Sequence, residues 1–278
     1  MIDIESVAQD DGFHQLAQKI MRDTTFRCAS YKDKCLRRRI AVRMRAKGVA
    51  SYLEYAALLD ADAREYELLL DVLTINVTRF FRNWPTFESV ARNVIPALLA
   101  KVGPVRIWSA GTASGEEAYS VAALFYQHAI SLGQDSALSR VSILGSDIDR
   151  ISLAAADRAI YHSTAFADTP ESVANRLFPL EGERRTVLPV IRSLVRFERR
   201  DILHEAAPEG LFDFITCRNV IIYFDRPAQE ELFSKFYHAL APGGYLLLGR
   251  VETLLGEART LFQPVDLRER IFRKVDQL

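Results

Sequence analysis

The stretch from Val105 to Ser120 constrains the fold more than any other part of the chain. An apolar run, Val105-Arg-Ile-Trp108, follows a Gly103-Pro104 break, passes through a loop with glycines at 111 and 115, and enters a segment of helical character. The β-branched and aromatic residues after the break read as a buried strand. From here onward strands and helices alternate, the pattern of a largely parallel sheet covered on both faces. The same order describes a ligand site. Gly111 and Gly115 let the backbone turn tightly and approach a bound group, and Glu116 and Glu117 stand where the helix begins. Dinucleotide folds seat a pyrophosphate there after G-x-G-x-x-G, but this loop is G-x-x-x-G and two carboxylates would repel a phosphate. A cationic cofactor without phosphate fits better. S-adenosylmethionine (SAM), with its ammonium and sulfonium, has that chemistry; the bland alternative is two acidic residues that favour a helix N-terminus.

A second element points the same way. Val141-Ser-Ile-Leu-Gly-Ser-Asp-Ile-Asp149 is a short apolar run ending in Asp147 and Asp149, before a helical stretch at Ile151 to Ile160. In α/β nucleotide folds an acidic residue at the end of the second strand bonds ribose hydroxyls, and one of the two aspartates is expected to cap the following helix. The intervening helix spans about Glu116 to Leu132.

The texture of the chain changes near residue 100. Residues 1 to about 80 are helical in period, hold only Gly12 and Gly48, and lack proline, which predicts a small helical bundle. Residues 81–104 read as a linker and helix, and residues 105–278 as the α/β domain. The segment from about Tyr161 to Asp201 interrupts the alternation with Pro170, Pro179, Gly182 and Pro189 and with β-rich pieces, Thr186-Val-Leu and Leu194-Val-Arg-Phe197. It is expected to be a small antiparallel insert. A third strand, beginning at Phe212, ends in Cys217, Arg218 and Asn219, and a charged group at the carboxyl edge of a sheet needs a partner. A free cysteine such as Cys217 is most often a small buried hydrophobe, and Tyr223 can be a core residue with its hydroxyl at the rim. An amphipathic helix at about Pro227 to Leu240 follows, then strands at Tyr245–Leu248 and near Arg270–Arg273.

Composition excludes several classes. With 278 residues and 49% hydrophobic content the chain can bury a full core. Lys plus Arg and Asp plus Glu are both 36, so no global field selects nucleic acid or membrane. Three cysteines, Cys28, Cys35 and Cys217, and five scattered histidines show neither disulfide nor zinc spacing, so no metal is expected. No apolar run reaches membrane-spanning length and the first residues form no signal-like apolar region, so cytoplasmic residence is expected; a monomer is the separate expectation for its assembly.

Four motifs in order carry a family resemblance: Asn76-Val-Thr-Arg-Phe-Phe-Arg82, Gly115-Glu-Glu-Ala-Tyr-Ser120, Ser146-Asp-Ile-Asp149 and Cys217-Arg-Asn-Val-Ile-Ile-Tyr-Phe-Asp225. Together they resemble the chemotaxis receptor methyltransferases, the CheR family, over nearly the whole chain. The resemblance implies an N-terminal helical receptor-recognition domain and a Rossmann-like SAM-dependent methyltransferase domain with a small β-insert. It also implies transfer of a methyl group from SAM to glutamate carboxylates of receptors, giving methyl esters and S-adenosylhomocysteine. By matched position, Asn76, Thr78 and Arg82 would contact the cofactor, with Arg82 near the transferred methyl. Gly111 belongs to the cofactor loop, Glu117 would hold the amino-acid end and Asp147 the ribose. Asp201, before Ile202, stands where the family commonly has asparagine. Cys217 and Arg218 would line the pocket, and Tyr223 would face the reacting centre.

The resemblance also assigns recognition to a basic helix. Arg37, Arg38, Arg39, Arg43 and Arg45 crowd it with Lys34 and Lys47, while Leu36, Ile40 and Met44 form an inward stripe. In the family this helix docks on acidic methylation helices of receptors, although alone it is usually a solvated face, with nucleic acid the next reading. Three departures stand out. Gly249-Arg-Val-Glu-Thr253 replaces the frequent Gly-His-Ser-Glu, Ala118 replaces a proline, and the insert offers only Glu181-Gly-Glu183 where tethered members bind a receptor's C-terminal pentapeptide. Recognition without that tether is expected. The altered 249–253 loop motivates one alternative, a SAM-binding sensor or interaction protein with weak transfer. A nucleic-acid methyltransferase is disfavoured, because no Asn-Pro-Pro-Tyr type of loop is present and the net charge is zero.

Overall fold

The computed structural model describes residues 4–24, 26–74 and 78–275, with side chains from Asp10 onward; Asn76 lies outside the described residues. The chain forms two compact units, Met1–Ile75 with Tyr223–Ala228, and Asn76–Ile222 with Gln229–Leu278. No helix among the described residues is long and apolar enough to cross a membrane.

The first unit holds α1 (Ile4–Asp23), α2 (Asp33–Lys47), α3 (Tyr52–Ala61) and α4 (Ala63–Leu73). Local chemistry fixes their ends. Gly48 stops α2 in the left-handed conformation, with φ 68°, and its N–H reaches the Arg45 and Met44 carbonyls. Ser51 and Glu54 form a capping box on α3, and Asp62 caps α4. The expected stripe packs inward, with Leu36, Ile40 and Met44 all buried against Phe13, Leu16, Tyr55 and Leu69.

The cations of α2 do not all face water as expected. Arg39 is 3% exposed; its Nη1 donates to the Leu73 carbonyl, and its guanidinium lies 4.2 Å from the Tyr223 ring centroid. Tyr223 is itself held in this unit, for the Lys32 N–H donates to its carbonyl at 2.9 Å and Tyr31 bridges Phe224. Arg43 forks onto Glu65 through Nε (2.9 Å) and Nη2 (2.7 Å). Arg37 covers the Phe13 ring at 3.9 Å and pairs with Asp10. The exposed stripe is therefore Lys34, Arg38 and Arg45, which fall within one narrow arc of a 3.6-residue helix.

The second unit begins with α5 (Trp84–Asn93) and α6 (Ile95–Ala100), then runs β1 (Val105–Ala110), α7 (Glu116–Ser131), β2 (Val141–Asp147) and α8 (Arg150–Arg158). An insert follows, with β3 (Ile160–His162), α9 (Glu171–Leu177), β4 (Leu180–Glu181), β5 (Arg184–Thr186) and α10 (Pro189–Arg192). The chain closes with β6 (Val195–Arg199), β7 (Phe212–Cys217), α11 (Arg226–Ala239), β8 (Leu240–Leu248), α12 (Ala258–Leu261), β9 (Phe262–Asp266) and β10 (Ile271–Lys274). The main sheet has the order β6-β2-β1-β7-β8-β10-β9 and is parallel from β6 to β8, with β10 antiparallel to both neighbours. This is the Rossmann-like methyltransferase architecture with a small three-stranded antiparallel sheet, β3-β5-β4.

One expected member of the insert belongs elsewhere. Leu194–Phe197 contributes to β6, which extends the main sheet by pairing parallel to β2 from Ile143↔Val195 to Asp147↔Arg199. The reason is packing: Phe197 presses onto Gly145 and Gly115, where an added Cβ would come within 2.6 Å and 2.9 Å of its ring. A short β-rich piece shows its composition but not its partner, and the glycines that admit Phe197 lie far away in sequence.

The Glu65 cluster gives a testable consequence. Glu65 is fully buried and also accepts from Tyr55 Oη at 2.7 Å, with Lys47 at 3.3 Å. Burial alone would push its carboxyl up, but hydrogen bonds from Arg43, Tyr55 and Lys47 overcome this and hold it at about 2, below its ordinary 4.5. A lowered folded pKa contributes stability above the unfolded value that disappears as pH falls through the folded one, so the contribution should be complete above pH 4.5 and fade towards pH 2. Glu65→Gln is expected to weaken the helical unit by about 3 kcal/mol at neutral pH, read as faster amide exchange in α3 and α4. Unchanged exchange would contradict this account.

Candidate functional site

The strand order reverses direction at β1. The chain lays down β1, β2 and β6 to one side and β7 and β8 to the other, so the crevice beyond the carboxyl ends of β1 and β7 is where an open α/β sheet binds ligands. Glu117, at the start of α7, sits here with 8% exposure. Its Oε1 accepts from Thr216 Oγ1 at 2.6 Å and Ser109 Oγ at 3.1 Å, and its Oε2 faces Arg218 Nη1 at 3.4 Å. Ser109 and Thr216 are register partners on β1 and β7. These two hydroxyls, which the motifs did not single out, are polar positions inside apolar strands, and that is the signal by which they could have been found.

Arg218 ties this cluster to the linker motif. Its Nη2 donates to the Arg82 carbonyl at 2.7 Å and to Asn83 Oδ1 at 3.3 Å, and its guanidinium lies over the Phe87 ring at 5.1 Å. Burial pushes the Arg218 guanidinium below its ordinary value, opposed by the Glu117 charge. The linker is fixed by its two phenylalanines. Phe80 stacks on Phe166 with centroids 4.1 Å apart, and Phe81 meets Phe87 and donates its N–H to Ser120 Oγ at 2.9 Å. Thr78 and Arg82 are half-buried beside this anchor. Phe81 and Asn83 take positive φ, 50° and 64°, as do Ala113 at 50° and Asn219 at 61° in neighbouring loops. Such conformations persist in non-glycine residues only where the surroundings impose them, and they concentrate at functional sites.

The second lobe lies at the end of β2. Asp147 is buried; its Oδ2 accepts from the Ala113 N–H at 2.8 Å and its Oδ1 from the Asp149 N–H at 3.0 Å, and burial pushes its carboxyl up. Each oxygen keeps acceptor capacity for a ligand hydroxyl. Asp149 caps α8 through the Ile151 N–H. Glu116 is also buried, and the Ser114 hydroxyl is shared between its two carboxylate oxygens, at 3.0 and 2.7 Å. Asp201 and Ile202 follow β6, where Arg200 N–H meets the Asp147 carbonyl, but the Asp201 carboxylate is taken up by the Leu203 and His204 N–H groups and the His204 ring. Cys217 is fully buried, and burial pushes its thiol well above the ordinary range. It is therefore no thiolate nucleophile. Tyr223 groups with the helical unit.

The loop after β8 has a clear construction. Glu252, 3% exposed, accepts backbone N–H groups from Gly249 (2.6 Å), Asn219 (3.1 Å) and Ile222 (3.3 Å). A Cβ at Gly249 would meet Glu252 Oε2 at 2.7 Å. Gly249 and Glu252 thus lock the 249–252 turn to the loop after β7, while Arg250 and Val251 are exposed.

The chain matches two family profiles, "CheR methyltransferase, SAM binding domain" over residues 76–271 and "CheR methyltransferase, all-alpha domain" over residues 11–74. It is 32% identical to a "Chemotaxis protein methyltransferase" from Listeria monocytogenes over 86% of this chain and 88% of that protein. It is 33% identical to a "Probable chemotaxis protein methyltransferase" from Rhizobium etli, over 82% and 87%. It is also 34% identical to an "Uncharacterized 104.1 kDa protein in hypE 3'region" from Rhodobacter capsulatus, matching 87% of this chain but spanning only 25% of that protein.

The glycine loop can be tested directly. Gly111 has φ 76°, and an added Cβ would meet Val220 Cγ2 at 2.7 Å. Gly111→Ala is expected to cost roughly 1–3 kcal/mol through backbone strain and collision, with Val220→Ala in the same chain restoring the collision part. Thermal unfolding at parental stability would show that the loop does not require glycine.

Proposed function

The chain belongs to the CheR methyltransferase family, a family of SAM-dependent methyltransferases, and on that footing we propose that it transfers a methyl group from SAM to side-chain carboxylates of glutamates in bacterial chemoreceptors. The products would be glutamate methyl esters and S-adenosylhomocysteine, and the role sensory adaptation. The observation that carries this reading is the Glu117 carboxylate, buried at the β1/β7 crevice and anchored on one oxygen by two hydroxyls. Among the described residues the other oxygen has one recorded partner, Arg218 Nη1 at 3.4 Å, and keeps capacity to accept from an ammonium. Of the four buried side-chain atoms without a hydrogen-bond partner among the described residues, two belong to the second unit, Thr112 Oγ1 and Arg218 Nε, and a bound ligand is one way such groups are satisfied.

In this reading Glu117 holds the amino-acid end of SAM and Asp147 the ribose. Thr78, Arg82, Gly111, Asp201, Ile202, Arg218 and the backbone of Cys217 shape the rest of the pocket, and Asn76 completes the linker motif. SAM supplies an already activated methyl on a sulfonium. A glutamate, with a pKa of about 4.3, is already ionised near neutrality, so no general base is required. The acceptor oxygen bonds to the methyl carbon as the carbon–sulfur bond breaks, and no proton moves. The chain has to align these atoms and exclude water. Arg82 orients the incoming carboxylate without clamping it, since tight ground-state binding would slow transfer; for Tyr223, which groups with the helical unit, the orienting role rests on the family resemblance alone.

Receptor recognition falls to the exposed stripe of Lys34, Arg38 and Arg45, with Arg37 at its side, and acidic methylation helices are the fitting partner. Arg39 and Arg43 act behind that face, through Tyr223 and Glu65. The alternative of a SAM sensor with weak transfer drew on the altered 249–253 loop, yet the residues that close this loop, Gly249 and Glu252, are retained. That favours the active reading.

Three measurements test it. Incubation with labelled SAM and receptor-enriched membranes should give label that alkali releases as methanol; SAM binding without base-labile label would favour the sensor. Asp147→Ala should weaken SAM binding tenfold or more, about 1.4 kcal/mol, and unchanged affinity would remove Asp147 from the site. Charge reversal at Arg38 and Arg45 should impair receptor methylation at unaltered SAM affinity, whereas full methylation would place docking elsewhere.

A further inference from the structure

A cleft of about 630 Å³ opens on the second unit, lined by Arg106, Arg196, Glu198, Arg200 and the Pro208–Gly210 turn. Its Arg106 end lies away from the cofactor crevice, since Arg106 precedes Gly111 by five residues and at about 3.3 Å per strand residue their backbones are roughly 16 Å apart; its Arg200 end adjoins Asp201 and, through the Arg200 N–H, the Asp147 carbonyl. The register puts the charged residues on one face of the sheet. Trp108, two residues after Arg106, is level with Leu144, and Leu144 is level with Arg196, itself two residues before Glu198. Alternate strand residues share a face.

The three guanidinium groups are held but not used up. Arg106 lies over the Phe212 ring at 4.9 Å and donates Nη2 to the Glu209 carbonyl at 2.6 Å. Gly210, with φ 81°, makes room for it, because a Cβ there would collide with the guanidinium. Arg200 donates Nε to Glu198 at 2.7 Å and Nη1 to the Ala206 carbonyl. Arg196, 65% exposed, only approaches Glu198, at 3.5 Å. Each guanidinium is a five-fold donor with no acceptor role, and among the described residues the acceptors recorded for these three are the Glu209 and Ala206 carbonyls and the Glu198 carboxylate, so donor capacity is left over. The cleft lining sets three cations against the carboxylates of Glu198 and Glu209, one net positive charge, with Glu205 at its border 4.0 Å from Arg200 Nη1. Arginine forks match phosphate oxygens in charge and geometry, and the volume suits a small molecule, within the roughly 300–1,000 Å³ usual for such sites.

We propose that this cleft is a second binding site, separate from the SAM crevice, that takes a phosphate-bearing small molecule through Arg106, Arg196 and Arg200. The SAM loop rejects phosphate with two carboxylates, and this cleft supplies the opposite chemistry on the same sheet. The site does not depend on the identity of the methyl acceptor.

The test is calorimetric titration of the full chain, saturated with SAM, with inorganic pyrophosphate at low ionic strength. The expected result is saturable binding at one site per chain, at least tenfold weaker in Arg196→Gln and in Arg106→Gln. Among the described residues the exposed Arg196 side chain has only its surface ion pair with Glu198, so its variant should keep the parental melting temperature and SAM affinity. The proposal is overturned by absence of saturable binding, by binding that both variants leave intact, or by competition between pyrophosphate and SAM. Tighter binding of an RNA or DNA duplex than of pyrophosphate would also overturn it, in favour of a nucleic-acid surface.

Discussion

The buried Glu117 carboxylate is the constraint around which the second unit is arranged. A carboxylate taken out of water must find hydrogen-bond donors, and here they come from β1 (Ser109), β7 (Thr216) and the segment after β7 (Arg218). The two strands therefore have to be neighbours in a register that levels Ser109 with Thr216, as observed. Arg218 in turn needs acceptors and takes the Arg82 carbonyl and Asn83. One buried charge thus fixes the switch point of the sheet and the course of the linker. The positive φ values of Phe81 and Asn83 follow from a turn held at both ends, by aromatic packing on one side and Arg218 on the other.

The same economy governs the helical unit. Glu65 gathers Arg43, Tyr55 and Lys47, which draws Arg43 out of solvent, and Arg39 is drawn towards Leu73 and Tyr223. A helix dense in arginine thereby divides its labour between holding the unit together and presenting a narrow cationic stripe. Tyr223–Ala228, the end of the motif that begins on β7 together with the first residues of α11, groups with this unit.

Much of this was legible in the sequence. The strand, glycine loop and helix at Val105–Ser120, the alternation after it and the proline-free bundle before it follow from periodicity and turn chemistry, and all appear in the fold. Asp149 caps its helix as its position suggested. What was not legible depends on pairing over distance. Local sequence places β6 with the insert because neither its partner β2 nor the glycines that receive Phe197 can be read from the neighbouring residues. The inward turn of Arg39 and Arg43 was hidden because a charged residue shows its partner only in three dimensions. The serine and threonine that seat Glu117 looked like ordinary strand residues, and the purpose of Glu252 emerged only with the three N–H groups it receives.

The central claim is that the Glu117 carboxylate, positioned by β1 and β7, holds the cationic end of SAM. The most direct measurement compares SAM dissociation constants of the parent chain and Glu117→Gln, which keeps the side-chain shape and an acceptor oxygen while removing the charge. A loss of about a hundredfold, near 2.7 kcal/mol, in a chain that still folds, at some cost in thermal stability, is the expected result. Unchanged SAM affinity in a folded Glu117→Gln protein would contradict the account.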